Sequence, residues 1–147
     1  MTSEDVGSRV FWDTNLFIYL FEDNPQSGQA VADLRKRMLR RKDRLFTSAM
    51  TVGEILVKPV SLRSLAVVEH YRKYFSSSSL TLASFDLAAA EIYAHIRQDR
   101  GIRPPDAIQL SCAAAVDVDL FITNDDRLSQ KNISGIKFIT SLSRAPI

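Results

Sequence analysis

Apolar positions in this chain fall into two rhythms. Short unbroken runs have the length of strands: Val10-Phe11-Trp12, Leu45-Phe46-Thr47, Leu80-Thr81-Leu82, Leu120-Phe121-Ile122-Thr123, and a weaker one over Ile136 to Thr140. Between them, apolar residues recur every three or four positions, as Leu16, Phe17, Leu20 and Phe21 do, which is the spacing of one helix face. Asp23-Asn24-Pro25 stops that first helix, and a second is predicted from about Ser27 to Arg41. Ser48 or Thr51 opens a third, which should end before Pro59 because the proline ring crowds the residue ahead of it. A fourth spans roughly Leu62 to Phe75. A fifth, capped by Ser84 or Asp86, runs to Arg100 with Gly101 closing it. Pro104-Pro105 suits the first turn of a sixth. Strands alternating with helices predict an α/β fold, a parallel sheet of about five strands covered on both faces, with the last strand at an edge.

Length and composition narrow this picture. A chain of 147 residues can build one real core, and Ser76 to Ser79 is too short for a linker, so a single domain over 1–147 is expected, with residues 1–8 as a flexible tail. The 46% apolar and 24% charged content is that of an ordinary soluble protein, and no run is long enough to span a membrane. Residues 1–9 are too polar for a secretion leader, and the single Cys112 cannot form an internal disulfide. Both point to a cytoplasmic setting. The net charge of +2 hides an asymmetry: Val31 to Arg44 carries +5, leaving −3 elsewhere. That segment is either a solvated helix face or a polyanion-binding edge beside an acidic pocket, with Arg35, Lys36, Arg40, Arg41 and Lys42 as RNA contacts.

The acidic pocket is the candidate chemistry. Asp13 ends the first strand, Glu54 follows the second, Asp106 opens the sixth helix, and Asp125 follows the fourth strand. Ligands of open α/β sheets bind at the carboxyl ends of strands. Carboxylates gathered there repel one another and call for protons or a divalent cation. Each acid also has a plainer use. Asp13 and Asp125 suit helix N-caps, Thr51-Val52-Gly53-Glu54 has the spacing of a capping box, and Asp106 complements a helix dipole. Thr14, Asn15 and Thr123 are placed to orient the carboxylates or water, and Asp126 competes with Asp125 for the fourth position. Glu91 and His95, four apart on a helix, lack a third ligand nearby. There is no glycine-rich phosphate loop and no nucleophile elbow.

Four stretches together resemble the PIN-domain ribonucleases, and among them the VapC-type toxins of toxin–antitoxin pairs. They are Val10 to Asn15, Ser48 to Leu56, Pro105 to Leu110 and Leu120 to Asp125. The resemblance implies a three-layer α/β/α sandwich and an acidic quartet at Asp13, Glu54, Asp106 and Asp125 that binds Mg²⁺ or Mn²⁺. It also implies endonucleolytic cleavage of RNA by metal-activated water, leaving 5′-phosphate and 3′-hydroxyl ends. It implies two partners besides RNA: a VapB-like antitoxin lying over the active site, and a second copy of the chain in a homodimer. Two other functions compete. One is a PIN-domain nuclease in RNA processing outside a toxin pair. The other is a non-catalytic RNA- or protein-binding module whose acids only cap helices. A haloacid-dehalogenase-type phosphatase would want an acid where Asn15 stands.

Overall fold

A computed structural model describes residues 7–147. Residues 1–6 of the expected tail lie outside the described residues. Ser8 is anchored, its N–H donating to Asp43 Oδ1 at 2.8 Å. The elements run β1 (Arg9–Trp12), α1 (Thr14–Phe21), α2 (Gly28–Arg41), β2 (Arg44–Ser48), α3 (Ala49–Ser61), α4 (Leu65–Phe75), β3 (Thr81–Ala83) and α5 (Leu87–Ile96). Then come α6 (Pro104–Ala115), β4 (Leu120–Ile122), α7 (Asp126–Ser129) and β5 (Phe138–Thr140).

The five strands form one parallel sheet in the order β3-β2-β1-β4-β5. The chain lays β1, β2 and β3 outward in one direction, then returns to place β4 on the other side of β1. That reversal makes the carboxyl ends of β1 and β4 the switch point, where a crevice opens in sheets of this kind.

Side chains alternate across the sheet with the period of two that strands impose. Val10, Trp12, Leu45, Leu120 and Ile122 face one core with Leu16, Phe17, Val31, Leu34 and Met38 of α1 and α2. Phe11, Phe46 and Phe121 face the other, against Ala107, Leu110 and Ala113 of α6. Phe11 pairs in register with both Phe46 and Phe121, and it stacks on Phe121 at 5.0 Å. Burying each such ring contributes about 1.5–3 kcal/mol. The α/β/α sandwich expected from the sequence is therefore present. Gly28 lets α2 start hard against α1: a Cβ there would lie 2.9 Å from the Tyr19 carbonyl oxygen.

Two expected helix ends are corrected. Helix α3 does not stop before Pro59 but continues to Ser61. Pro59 lies in the last turns, where few carbonyls depend on its missing N–H. It is buried on the same face as Thr51 and Ile55, so packing offsets the lost bond. Helix α5 ends at Ile96 rather than Arg100. Its continuation tightens into turns, with Gln98 N bonding His95 O and Asp99 N bonding Ile96 O. Gly101 does not close a helix there; its N–H donates to Asp99 Oδ1 instead.

Candidate active site

Asp13 sits where β1 becomes α1, at the centre of the switch point. It caps α1, with Oδ1 accepting from the Thr14 N–H at 2.9 Å. Capping uses only one of its oxygens. Oδ2 accepts from the Thr123 hydroxyl at 2.7 Å, and the residue is only 7% exposed. Burial is the main influence on this carboxyl and pushes its pKa up. The hydrogen bonds from Thr123 and Thr14 oppose it, and nearby Glu54 adds to the rise.

A network of neutral groups holds this half of the site. Gln109, buried on α6, donates to Thr51 Oγ1 at 2.6 Å and to Thr14 Oγ1 at 3.1 Å, and its Nε2 lies 3.4 Å from Asp13 Oδ1. Its Oε1 accepts from the Ser48 hydroxyl. Thr47 Oγ1 lies 2.9 Å from Trp12 O and 2.8 Å from Thr51 Oγ1, tying β1, β2 and α3 together. The Thr14 hydroxyl donates to Glu54 Oε1 at 2.7 Å. Glu54 is therefore not part of a capping box: Ser48 caps α3, and Glu54 stands in the second turn, turned toward Thr14.

The other half lies across β4. Asp106 is in the first turn of α6, half-buried, with Pro104 and Pro105 ahead of it. Burial raises its pKa, and Asp13 and Asp125 raise it further. Asp125 caps α7, its N–H donating to Thr123 Oγ1 at 3.0 Å. Thr123 thus donates to Asp13 and accepts from Asp125, coupling the two halves through one hydroxyl. Arg127 grips Asp125 with two N–H groups, at 3.1 and 2.7 Å, and its hydrogen bond is the main reason the Asp125 carboxyl titrates below the usual range.

The four predicted acids therefore stand in a line of neighbours, Glu54 acting on Asp13, and Asp13 and Asp125 acting on Asp106. Asp126 is exposed and lines a different, polar hollow with Ser129, Ser143 and Arg144. Asn15 Oδ1 accepts a long bond, 3.4 Å, from Asn124 N, bracing the loop that carries Asp125. Glu91 and His95 are both exposed on α5.

The basic segment does not sit beside the acids. Its cations cluster toward the end of α2 that leads into β2, at the opposite end of the sheet, roughly 15 Å away along the strand. Two of the five residues expected to hold RNA have partners within the fold: Arg35 donates to Ser79 O at 2.8 Å, and Arg41 to Asp43 Oδ2 at 2.9 Å. Lys36, Arg40 and Lys42 are exposed. Sequence reasoning missed Gln109 and Arg127. A lone Gln inside the small apolar run from Ala107 to Ala115 was the available signal for the first.

Among the described residues, no three His, Cys, Asp or Glu side chains form a ready-made metal cage. The donor set is nevertheless all oxygen, suited to a hard cation. An ion such as Mg²⁺ keeps several waters and uses one or two carboxylates plus substrate phosphate, so it needs no complete cage. The acids at this site fit such an ion.

Among curated proteins, none matches the sequence significantly. Several solved structures share the fold, two of them toxin–antitoxin assemblies. VapBC2 from Rickettsia felis, bound to a DNA fragment of its promoter, matches with a TM-score of 0.71 at 15% identity, over 90% of this chain and 97% of that one. A toxin–antitoxin complex from Klebsiella pneumoniae matches with a TM-score of 0.61 at 21% identity, over 86% and 94%. No helix among the described residues is long and apolar enough to cross a membrane. The family model of the PIN domain matches residues 10–133, and with the acid-lined switch point this settles the relationship: the chain belongs to the PIN-domain family.

Proposed function

We propose that this protein is a divalent-metal-dependent endoribonuclease of the VapC type, the cytoplasmic toxin of a toxin–antitoxin pair. The observation that carries the reading is the treatment of Asp13. A carboxylate 7% exposed, with further acids around it, is unfavourable for the fold alone. Capping α1 needs one oxygen, yet Thr123 and Gln109 also aim donors at it. Such wiring suits a charge held ready for a ligand.

Asp13 and Asp106 would hold the Mg²⁺ or Mn²⁺ directly, with Glu54 and Asp125 acting directly or through water. The cation supplies positive charge against phosphate and leaving oxygen, and acidifies water to make a nucleophile at neutral pH. The chain's own part is positioning. Thr123 and the Thr14 N–H fix the two Asp13 oxygens. Thr14 turns Glu54 inward. Gln109 locks Thr14 and Thr51, so the carboxylates meet substrate without reorganising.

A VapB-like antitoxin is the proposed partner. An apolar groove of about 450 Å³ between α1, α3 and α4 is lined by Ile18, Phe21, Ile55, Pro59 and Tyr71, and Glu54 stands on its wall. An amphipathic antitoxin helix laid there would reach the acids. VapBC2 from Rickettsia felis and the toxin–antitoxin complex from Klebsiella pneumoniae share this fold, which supports this choice. The test is incubation of antitoxin-free protein with structured and single-stranded RNAs and a DNA control, in Mg²⁺ or Mn²⁺ against EDTA. RNA cleavage that needs the metal is expected; cleavage undiminished by EDTA would overturn the reading.

A further inference from the structure

A cation makes direct contact with the acidic site. Arg127 Nε donates to Asp125 Oδ1 at 3.1 Å and Nη2 to Asp125 Oδ2 at 2.7 Å, while the same Nη2 lies 4.0 Å from Asp106 Oδ2. One guanidinium therefore spans two carboxylates on separate elements, α6 and the start of α7. Its backbone N–H also donates to Asp125 Oδ1, so the side chain folds back over its own helix cap. A hard divalent ion would need lone pairs of the same oxygens. It would also feel a like charge a few ångströms away. The Arg127 side chain is half exposed, while its neighbour Leu128 is buried and fixes the backbone. Leaving the carboxylates would then require only side-chain rotation into solvent.

We propose that Arg127 is an internal counter-ion that occupies the Asp106–Asp125 half of the site in the metal-free protein and must be displaced when a divalent cation binds there. The inference rests on the metal-site reading above and adds a regulation to it: the chain supplies its own competitor. Two effects act with one sign. Removing the guanidinium frees the oxygens, and it removes a repelling charge. A two-pronged carboxylate contact at a half-exposed position competes modestly, so the gain should be about three- to tenfold.

The experiment is calorimetric titration of Mn²⁺ into the full chain at low ionic strength, for wild type, Arg127→Ala, Arg127→Lys and Arg144→Ala. Circular dichroism checks folding in each. Arg127→Ala should bind Mn²⁺ about three- to tenfold more tightly than wild type, and its Mn²⁺-induced rise in Tm should be larger. Arg127→Lys keeps the charge but loses the fork, and should fall between them. Arg144→Ala removes an exposed arginine elsewhere and should match wild type. Equal or weaker binding by folded Arg127→Ala overturns the inference and leaves the metal site standing. Equal tightening by Arg144→Ala overturns it as well, because the effect would then be one of net charge. Absence of Mn²⁺ binding in every variant overturns the metal-site reading and the inference with it.

Discussion

The two halves of the acidic site are held in opposite ways. Around Asp13 the partners are neutral: the Thr123 hydroxyl, the Gln109 amide and the Thr14 backbone N–H. They fix the carboxylate's orientation and offset its burial only in part, with no cation in contact among the described residues. Around Asp125 the partner is a guanidinium, which cancels the charge and covers the oxygens. Asp13 is buried at the sheet's switch point, whereas Asp125 is partly exposed at the start of a four-residue helix. On the proposed function the two would have different jobs, one a rigid charge kept ready and the other a closed contact able to open.

The sharpest break in this comparison is Asp13→Asn. It removes the buried charge yet keeps the side chain's size. RNA cleavage should fall by about a thousandfold or more, since electrostatic stabilisation of the reacting phosphate is lost. Stability should move the other way. Burial raises the Asp13 pKa, so ionising it costs the metal-free fold. That cost is absent below the ordinary carboxylate range near ~4 and grows as pH rises through the raised value. The variant should therefore match wild type in acid and exceed it in Tm at neutral pH. An equal Tm across the whole range would mean the charge is compensated after all.

Gln109→Leu tests the neutral wiring. It keeps the bulk and strands Thr51, Thr14 and Ser48, so a loss of about 2–4 kcal/mol is expected, read by urea unfolding. Activity should fall with it, because Glu54 and Asp13 lose their frame. Thr123→Val is milder. It removes the donor to Asp13 Oδ2 and the acceptor for the Asp125 N–H, at about 1–3 kcal/mol. Smallest of all is Asp126→Asn, which should leave cleavage unchanged while Asp125→Asn lowers it. Equal effects at the two positions would show that Asp125 is not the fourth acid.

Much of this was legible in the chain because strands and their following turns are local. Val10-Phe11-Trp12-Asp13 and Leu120 to Asp125 each contain a strand, its end and the acid beyond it, so the unbroken apolar runs were enough to put Asp13 and Asp125 just past strand ends. Glu54 was legible only in company, since its spacing from Thr51 imitates a cap that Ser48 in fact provides. Helix ends were read less well where packing competes with local rules: buried Pro59 stays inside α3 against its own backbone preference. The role of Gln109 depends on α6 crossing β2 and α3, a contact no local pattern encodes. The basic segment shows the same limit. Its composition suggested an edge near the acids, but α2 runs back along the sheet and delivers the cluster to the far end.

On the proposed function, buried Asp13 is kept ionised to hold a divalent cation for RNA cleavage. Titrating Mn²⁺ into wild type and Asp13→Asn, with cleavage of one susceptible RNA read in the same samples, tests it most directly. The variant should stay folded, bind Mn²⁺ at least about tenfold more weakly, and lose cleavage. A folded Asp13→Asn protein that binds the metal and cuts RNA as wild type does would contradict it.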